Sequence, residues 1–313
     1  MMTMYILMAI IGSIFEIAGA GILVKQSICF AKITEIPKTY AAMLLCGMGS
    51  GLYFFIDAVI KSMKNAGQEI SSSAVDTVLF SVLLILGICA MTGKMKIRRG
   101  VIQQELSFFI FVQIVLLYLS ADYLFHGKHS MRILSRTDGI VLFILFVIFF
   151  GGVIKKTFPW IKAPKNVKIN LSMLLLCGLG ILFVTCGEFM MLYFVGKTGI
   201  TEILQKEVLQ QLLDSAMLIF PCFVISMWSI KYGEMDFVIG NVIGYGMMSM
   251  AAAIGAAVII QPIMVSVSGI YDMIIVCCAS VMVWLFAYKY DQLSRLQGCV
   301  MATVFVIYMI GKI

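Results

Sequence analysis

Runs of roughly twenty apolar residues recur along this whole chain, and no other feature constrains its fold as tightly. Each is about long enough to cross a hydrocarbon core of about 30 Å as a helix. One reads MYILMAIIGSIFEIAGAGILV and another VLFILFVIFFGGVI. No water reaches such a core, so backbone groups must bond within the segment, and helices are the default. Ten runs are read, centred on 4–29, 39–60, 72–93, 101–121, 137–154, 170–195, 212–230, 237–260, 269–288 and 296–311. The implied fold class is all-α, a polytopic membrane protein embedded in a lipid bilayer. A chain that is 62% hydrophobic and 12% charged over 313 residues fits no soluble domain. The opening MMTMYILMAI lacks a basic segment and a small-residue cleavage site, so it reads as the first span.

Lysine and arginine collect on the cytoplasmic side of membrane proteins. With the N-terminus outside, the inner loops hold Lys32 and Lys38, then Lys94, Lys96, Arg98 and Arg99, then the run KKTFPWIKAPKNVK, then Lys231, then Lys289 and Arg295. The outer loops hold fewer. Both termini are therefore expected outside, in a plasma (inner) membrane. The net charge of +7 follows from this bias and requires no nucleic-acid partner. The nine cysteines lie mostly inside apolar spans, with no disulfide spacing, and behave as small hydrophobes.

The chain also repeats itself. LSRTDGIVLFILFVIFF, starting at Leu134, matches LSRLQGCVMATVFVIYM, starting at Leu293, at an offset of 159. Farther back the offset is 168, because Gly19 falls on Gly187, Ser81 on Ser249 and Gly87 on Gly255. The difference places about nine extra residues in the first half, most naturally between Tyr123 and Arg136. Five spans per half is an odd number, so the halves enter the membrane from opposite sides. That is an inverted repeat, an architecture that puts a transporter's site near the midplane where the halves meet. The expected division is 1–154, a cytoplasmic linker 155–169, and 170–313.

Helices interrupted by Gly or Pro at matching positions of the halves point to such a site. LLCGMGSGLYFFIDAVI holds Gly47, Gly49 and Gly51, and its counterpart SAMLIFPCFVISMWSI is broken by Pro221. GNVIGYGMMSM holds Gly240, Gly244 and Gly246, a spacing that also serves ordinary helix packing. Buried acids in spans are functional candidates, which singles out Glu16 and Glu188 in the first span of each half. His126 and His129 have H-x-x-H spacing without further ligands nearby.

GEMDFVIGNVIGYGMMSMAAAIGAAVIIQPI resembles the second signature region of the calcium/cation antiporter superfamily, the sodium/calcium exchangers. Those proteins carry a pattern near G-T-S-x-P-E and, some twenty residues on, G-N-x-x-G-S-N-x-x-N. Here Pro221 stands at the pattern's proline, and Gly240, Asn241, Val242 and Gly244 stand at its G-N-V-x-G. GAGILVK at 19–25 is similar to the family's G-A-D-x-L-V-K, and both LSR phrases to its I-S-R-x-E-G. The resemblance implies ten helices in two inverted five-helix repeats. It also implies a secondary active cation antiporter whose site uses the Glu of each P-E motif, the Asn or Asp of each G-N motif, and nearby hydroxyls. No resident cofactor is implied; small cations such as Na⁺ or Ca²⁺ would be cargo.

The sequence departs from that pattern where the charge should be. Cys222 stands at the second-half Glu and Phe54 at the first-half Glu. Asn241 keeps a family residue type, Ser73 is a hydroxyl at the matching first-half position, and Ser50 stands at the first-half Thr. An altered site of Asn241, Ser73, Ser50 and Cys222 should bind Ca²⁺ poorly, because that ion favours several oxygens and carboxylates above all. Asp57 and Asp76, each three residues from a lost ligand, are candidates for a relocated acidic site. On antiparallel helices the shifts separate them by roughly 9 Å, which makes helix-end or interhelical polar roles the alternative reading. A second functional reading is a transporter-fold protein that has lost exchange and acts as a binding or regulatory partner. A third reading, a membrane-embedded enzyme such as a protease, is disfavoured because no G-x-S-x-G, H-E-x-x-H or paired-Asp motif is present, so no enzymatic activity is expected. The oligomeric state is left open.

Overall fold

The structure, a computed structural model, describes residues 2–93, 95–121, 133–162, 171–198 and 207–312. The described chain is almost entirely helical. Its helices are α1 (Met2–Ile33), α2 (Lys38–Met63), α3 (Glu69–Thr92), α4 (Val101–Ser120), α5 (Arg136–Lys162) and α6 (Leu171–Thr198). They continue with α7 (Glu207–Leu218), α8 (Phe220–Lys231), α9 (Met235–Ile260), α10 (Val267–Tyr290) and α11 (Arg295–Lys312). Nine of these are long and apolar enough to span a membrane singly. The pair α7 and α8, bent by 46°, brings the number to ten when it is taken as one broken span. Helix α5 runs on to Lys162, beyond the span end expected at 154. Residues 163–170, most of the expected linker, lie outside the described residues. So do Tyr123, His126 and His129.

The bend has a local cause. Pro221 has no backbone N–H to give to the preceding turn, and Ile219 breaks the helix just before it. The break also leaves the last carbonyls of α7 at a helix end, where they need donors from elsewhere. The Tyr245 hydroxyl, fully buried on α9, donates to Leu218 O at 3.0 Å.

The inverted repeat is written into the small features. Wide π-helical turns fall at Phe80–Ile85 in α3 and at Met248–Ala253 in α9, 168 residues apart. Four two-residue strands follow the same bookkeeping: β1 (Met95–Lys96), β2 (Ile133–Leu134), β3 (Ile263–Met264) and β4 (Gln292–Leu293). Strand β1 pairs with β4 through Met95 and Leu293, and β2 pairs with β3 through Leu134 and Ile263. Each pair is the other's image under the offsets of 168 and 159.

The LSR phrase is a helix start. Ser135 N donates to Asp138 Oδ2 at 2.7 Å, and Asp138 N reaches back to Ser135 Oγ at 3.4 Å. In the second copy Ser294 N donates to Gln297 Oε1 at 2.7 Å, and Gln297 N to Ser294 Oγ at 3.5 Å. These are capping boxes, which satisfy donors that a helix leaves orphaned at its first turn. The glycine that follows lets helices touch. A Cβ on Gly139 would stand 2.8 Å from Gly255 O, and one on Gly298 would stand 2.6 Å from Gly87 O. The phrase therefore encodes a cap and a close crossing, while Arg136 and Arg295 are exposed. Ser294→Ala is expected to lower stability by about 1 kcal/mol, and Arg295→Ala to leave it unchanged, in thermal unfolding of the detergent-solubilised protein.

Helices α3 and α9 lie at the centre; every residue from Phe237 to Ala253 is buried. Helices α1 and α6 cross antiparallel beside them, with Gly12 against Gly187 and Gly19 against Gly180. Their other faces carry Ile10, Ile14, Leu175 and Leu182 outward, as lipid contact requires. One end of the bundle gathers Lys38 with Glu234, Arg99 with Asp291 and Lys156 with Glu105. These come from the loops expected to be inner. The other end holds β2 and β3, the Lys61–Asp57 pair and Lys312.

Candidate functional site

Three of the six residues singled out from sequence meet at the centre. Asn241 on α9, Ser50 on α2 and Cys222 on α8 are fully buried. The Asn241 amide donates to Cys222 O at 2.9 Å, Cys222 Sγ at 3.2 Å and Ser226 Oγ at 3.1 Å. Its Oδ1 accepts from Ser50 Oγ at 3.2 Å. Ser50 also donates to Gly47 O, and Ser226 to Cys222 O. One asparagine thus ties both halves together, spending both amide protons and its carbonyl within the cluster. Ser226, not anticipated from sequence, enters because it lies one turn after Cys222 on the same face.

Glycines make that meeting possible. A Cβ on Gly47 would stand 2.6 Å from Gly244 Cα, and one on Gly244 would stand 2.7 Å from Met43 O. A Cβ on Gly240 would collide with Thr39 O. Helices α2 and α9 therefore touch backbone to backbone. These glycines serve packing, and the broken helix of the pair is the one at Pro221.

The cluster is neutral. Phe54, at the position matching Cys222, is a buried part of the hydrophobic core. Ser73, on α3, is buried and makes no hydrogen bond to the cluster. Asp57 pairs with Lys61 at 2.9 Å and lines a cavity of about 550 Å³ with Tyr53, Asp214, Lys64 and Phe189. Asp76 belongs elsewhere again. It is fully buried, accepts from Gln211 Nε2 at 2.6 Å and pairs with Lys312 Nζ at 2.6 Å. Lys312 also pairs with Asp272 at 2.9 Å, and the Tyr308 hydroxyl donates to both aspartates. Four spans are joined there, beside a cavity of about 520 Å³ lined in part by Gln211, Asp272, Tyr308 and Lys312. The two aspartates thus sit in separate clusters, each against a lysine. Among the described residues, no three His, Cys, Asp or Glu side chains gather as a metal site. Nothing local in the sequence marked Lys312, whose partners lie 236 and 40 residues away.

Comparison with known proteins agrees with this architecture. The family described as "Sodium/calcium exchanger protein" matches residues 4–155 and 171–313. The inner membrane protein YrbG of Escherichia coli (strain K12) is 21% identical over 280 residues, covering 81% of this chain and 79% of that protein. Membrane protein MJ0091 of Methanocaldococcus jannaschii is 22% identical over 302 residues, covering 95% and 94%. Among solved structures, the sodium-calcium exchanger NCX_Mj superposes with a TM-score of 0.84 at 20% identity, covering 99% of this chain and 98% of that one. That last likeness concerns the fold.

Proposed function

Since this chain belongs to the sodium/calcium exchanger family, we propose that it is a secondary active antiporter of small cations whose midplane site has been altered. The observation that carries the proposal is the buried Ser50–Asn241–Cys222–Ser226 cluster, where segments of both inverted halves meet around oxygens without charge. A site of that kind lies where a transporter of two inverted repeats keeps its substrate. Its neutral ligands disfavour Ca²⁺ at that point and leave the charge of the cargo to be balanced elsewhere. The lysine and arginine distribution argues for both termini outside, in a plasma (inner) membrane. The division at residues 155–169 leaves each half as one repeat, and the halves would rock about their shared axis.

A second reading has one observation in its favour. Every polar group of Asn241 already has a partner within the protein, as in a cluster kept for structure alone. On that reading the protein has lost exchange and acts as a regulatory or binding partner.

Flux of ²²Na⁺ and ⁴⁵Ca²⁺ in proteoliposomes, against protein-free vesicles, separates the two. The intact protein is expected to exchange at least one of these cations. Asn241→Ala and Ser50→Ala are each expected to lower its uptake about ten- to a hundredfold, the value of one ligand to a charged group. Absence of flux from the intact protein would leave the second reading. Flux untouched by both substitutions would remove the central cluster as the site.

A further inference from the structure

Two glutamates at the crossing of α1 and α6 have no hydrogen-bond partner among the described residues. Glu16 and Glu188 are fully buried, and none of their four carboxylate oxygens has a hydrogen-bond donor. Buried polar groups are nearly always bonded, and an acid at membrane depth is costly enough that its presence marks a function by default.

The geometry brings them to one place. A Cβ on Gly187 would stand 2.8 Å from Glu16 N and 3.0 Å from Glu16 Cβ, so Glu16 lies beside the residue preceding Glu188. The glycine contacts set residue 12 level with 187 and residue 19 level with 180, which makes the helices antiparallel. Helical side chains lean toward their own N-terminus. Glu16 therefore leans toward the level of Glu188, and Glu188 toward that of Glu16. Asp57, Tyr53 and Phe189, the neighbour of Glu188, all line the cavity of about 550 Å³. Under the offset of 168 the counterparts of the glutamates are Val184 and Ala20, so the pair is not a product of the repeat.

We propose that Glu16 and Glu188 together bind one small hard metal cation, Na⁺ or Ca²⁺, at the α1–α6 crossing, reached from the Tyr53–Asp57 cavity. A metal ion accepts oxygens that no protein donor serves, and water from the cavity completes its shell. Ca²⁺ would cancel both charges and Na⁺ one. The inference deepens the antiporter reading, on which its role in transport rests. It supplies, one helix pair away, the negative charge that the Asn241 cluster lacks.

Equilibrium binding of ⁴⁵Ca²⁺ and of ²²Na⁺ to the purified full chain in detergent tests it. The wild type is expected to bind at least one of them. Glu16→Gln and Glu188→Gln should each weaken that binding about tenfold or more, the double variant should abolish it, and the exposed Glu69→Gln should retain it. Cation-free thermal unfolding checks the fold: the isosteric variants are expected to match or exceed the wild type. Wild type that binds neither ion, or binding intact in the double variant, overturns the proposal. A carboxyl infrared signal that answers to pH but not to Na⁺ or Ca²⁺ overturns it as well. Binding that depends on the glutamates in a protein without flux upholds the site and removes the antiporter reading. Flux intact in a double variant that no longer binds upholds the site, removes its part in transport and leaves that reading standing.

Discussion

Replacing Lys312 by methionine is expected to destabilise the folded protein by about 3–5 kcal/mol, the usual cost of leaving one partner of a buried pair alone. The ammonium sits between Asp76 and Asp272, at 2.6 and 2.9 Å, and Asp76 is wholly shielded from solvent. Without it, two carboxylates would share a site whose remaining donors are Gln211 and Tyr308. The effect should be specific to charge. Adding Asp76→Asn to Lys312→Met is expected to recover most of the loss, because it removes the stranded anion. Thermal unfolding in a single detergent, with wild type, both single variants and the double, gives the cycle. Equal stability of Lys312→Met and wild type would mean that α11 is not held to α3, α7 and α10 through this lysine.

The second large effect is expected at Gly244. Valine there would drive Cβ to within 2.7 Å of Met43 O and 2.9 Å of Gly47 Cα, and backbone atoms cannot turn aside as a side chain can. Helices α2 and α9 must separate, at about 1–3 kcal/mol for overpacking alone. The contact is also what sets Ser50 against Asn241 at 3.2 Å. Transport should therefore fall further than stability does: flux is expected to vanish in protein that still elutes as a folded species. Gly151→Ala is the matched control. A Cβ there meets nothing within 4 Å, so the change should be neutral or stabilising by up to about 1 kcal/mol, with flux retained. Normal flux in Gly244→Val would show that the α2–α9 contact does not shape the path of the cargo.

Much of the fold was legible in the sequence because it rests on local physics. A bilayer sets span length, so the apolar runs gave ten spans, including the one that Pro221 bends. Repetition gave the register of the halves, and the four strands and the π-helical turns of α3 and α9 fall on the same two offsets. The candidate site was legible in part. Asn241, Ser50 and Cys222 meet where motif spacing put them, whereas Ser226, Lys312, Asp272 and Tyr308 were not foreseen. Asp57 and Asp76 were weighed as a relocated acidic site against helix-end or interhelical polar roles, and their separate ion pairs are those of polar groups. Each is neutralised by a lysine, Lys61 one turn away and Lys312 in the last span.

The sequence by itself therefore determined the number of spans, the inverted halves, the repeated phrase that opens α5 and α11, and the absence of carboxylates from the motif positions. Each depends on residues close together in the chain or on a fixed offset between copies. Only the tertiary structure decided that Asp76 faces Lys312, that Asn241 spends its whole amide on α2 and α8, and that Glu16 and Glu188 share one crossing without a donor between them. Those outcomes depend on the rotation and tilt of each helix. Small-residue contacts such as Gly12 against Gly187 and Gly47 against Gly244 set these, and no periodicity along one span encodes its partner's face.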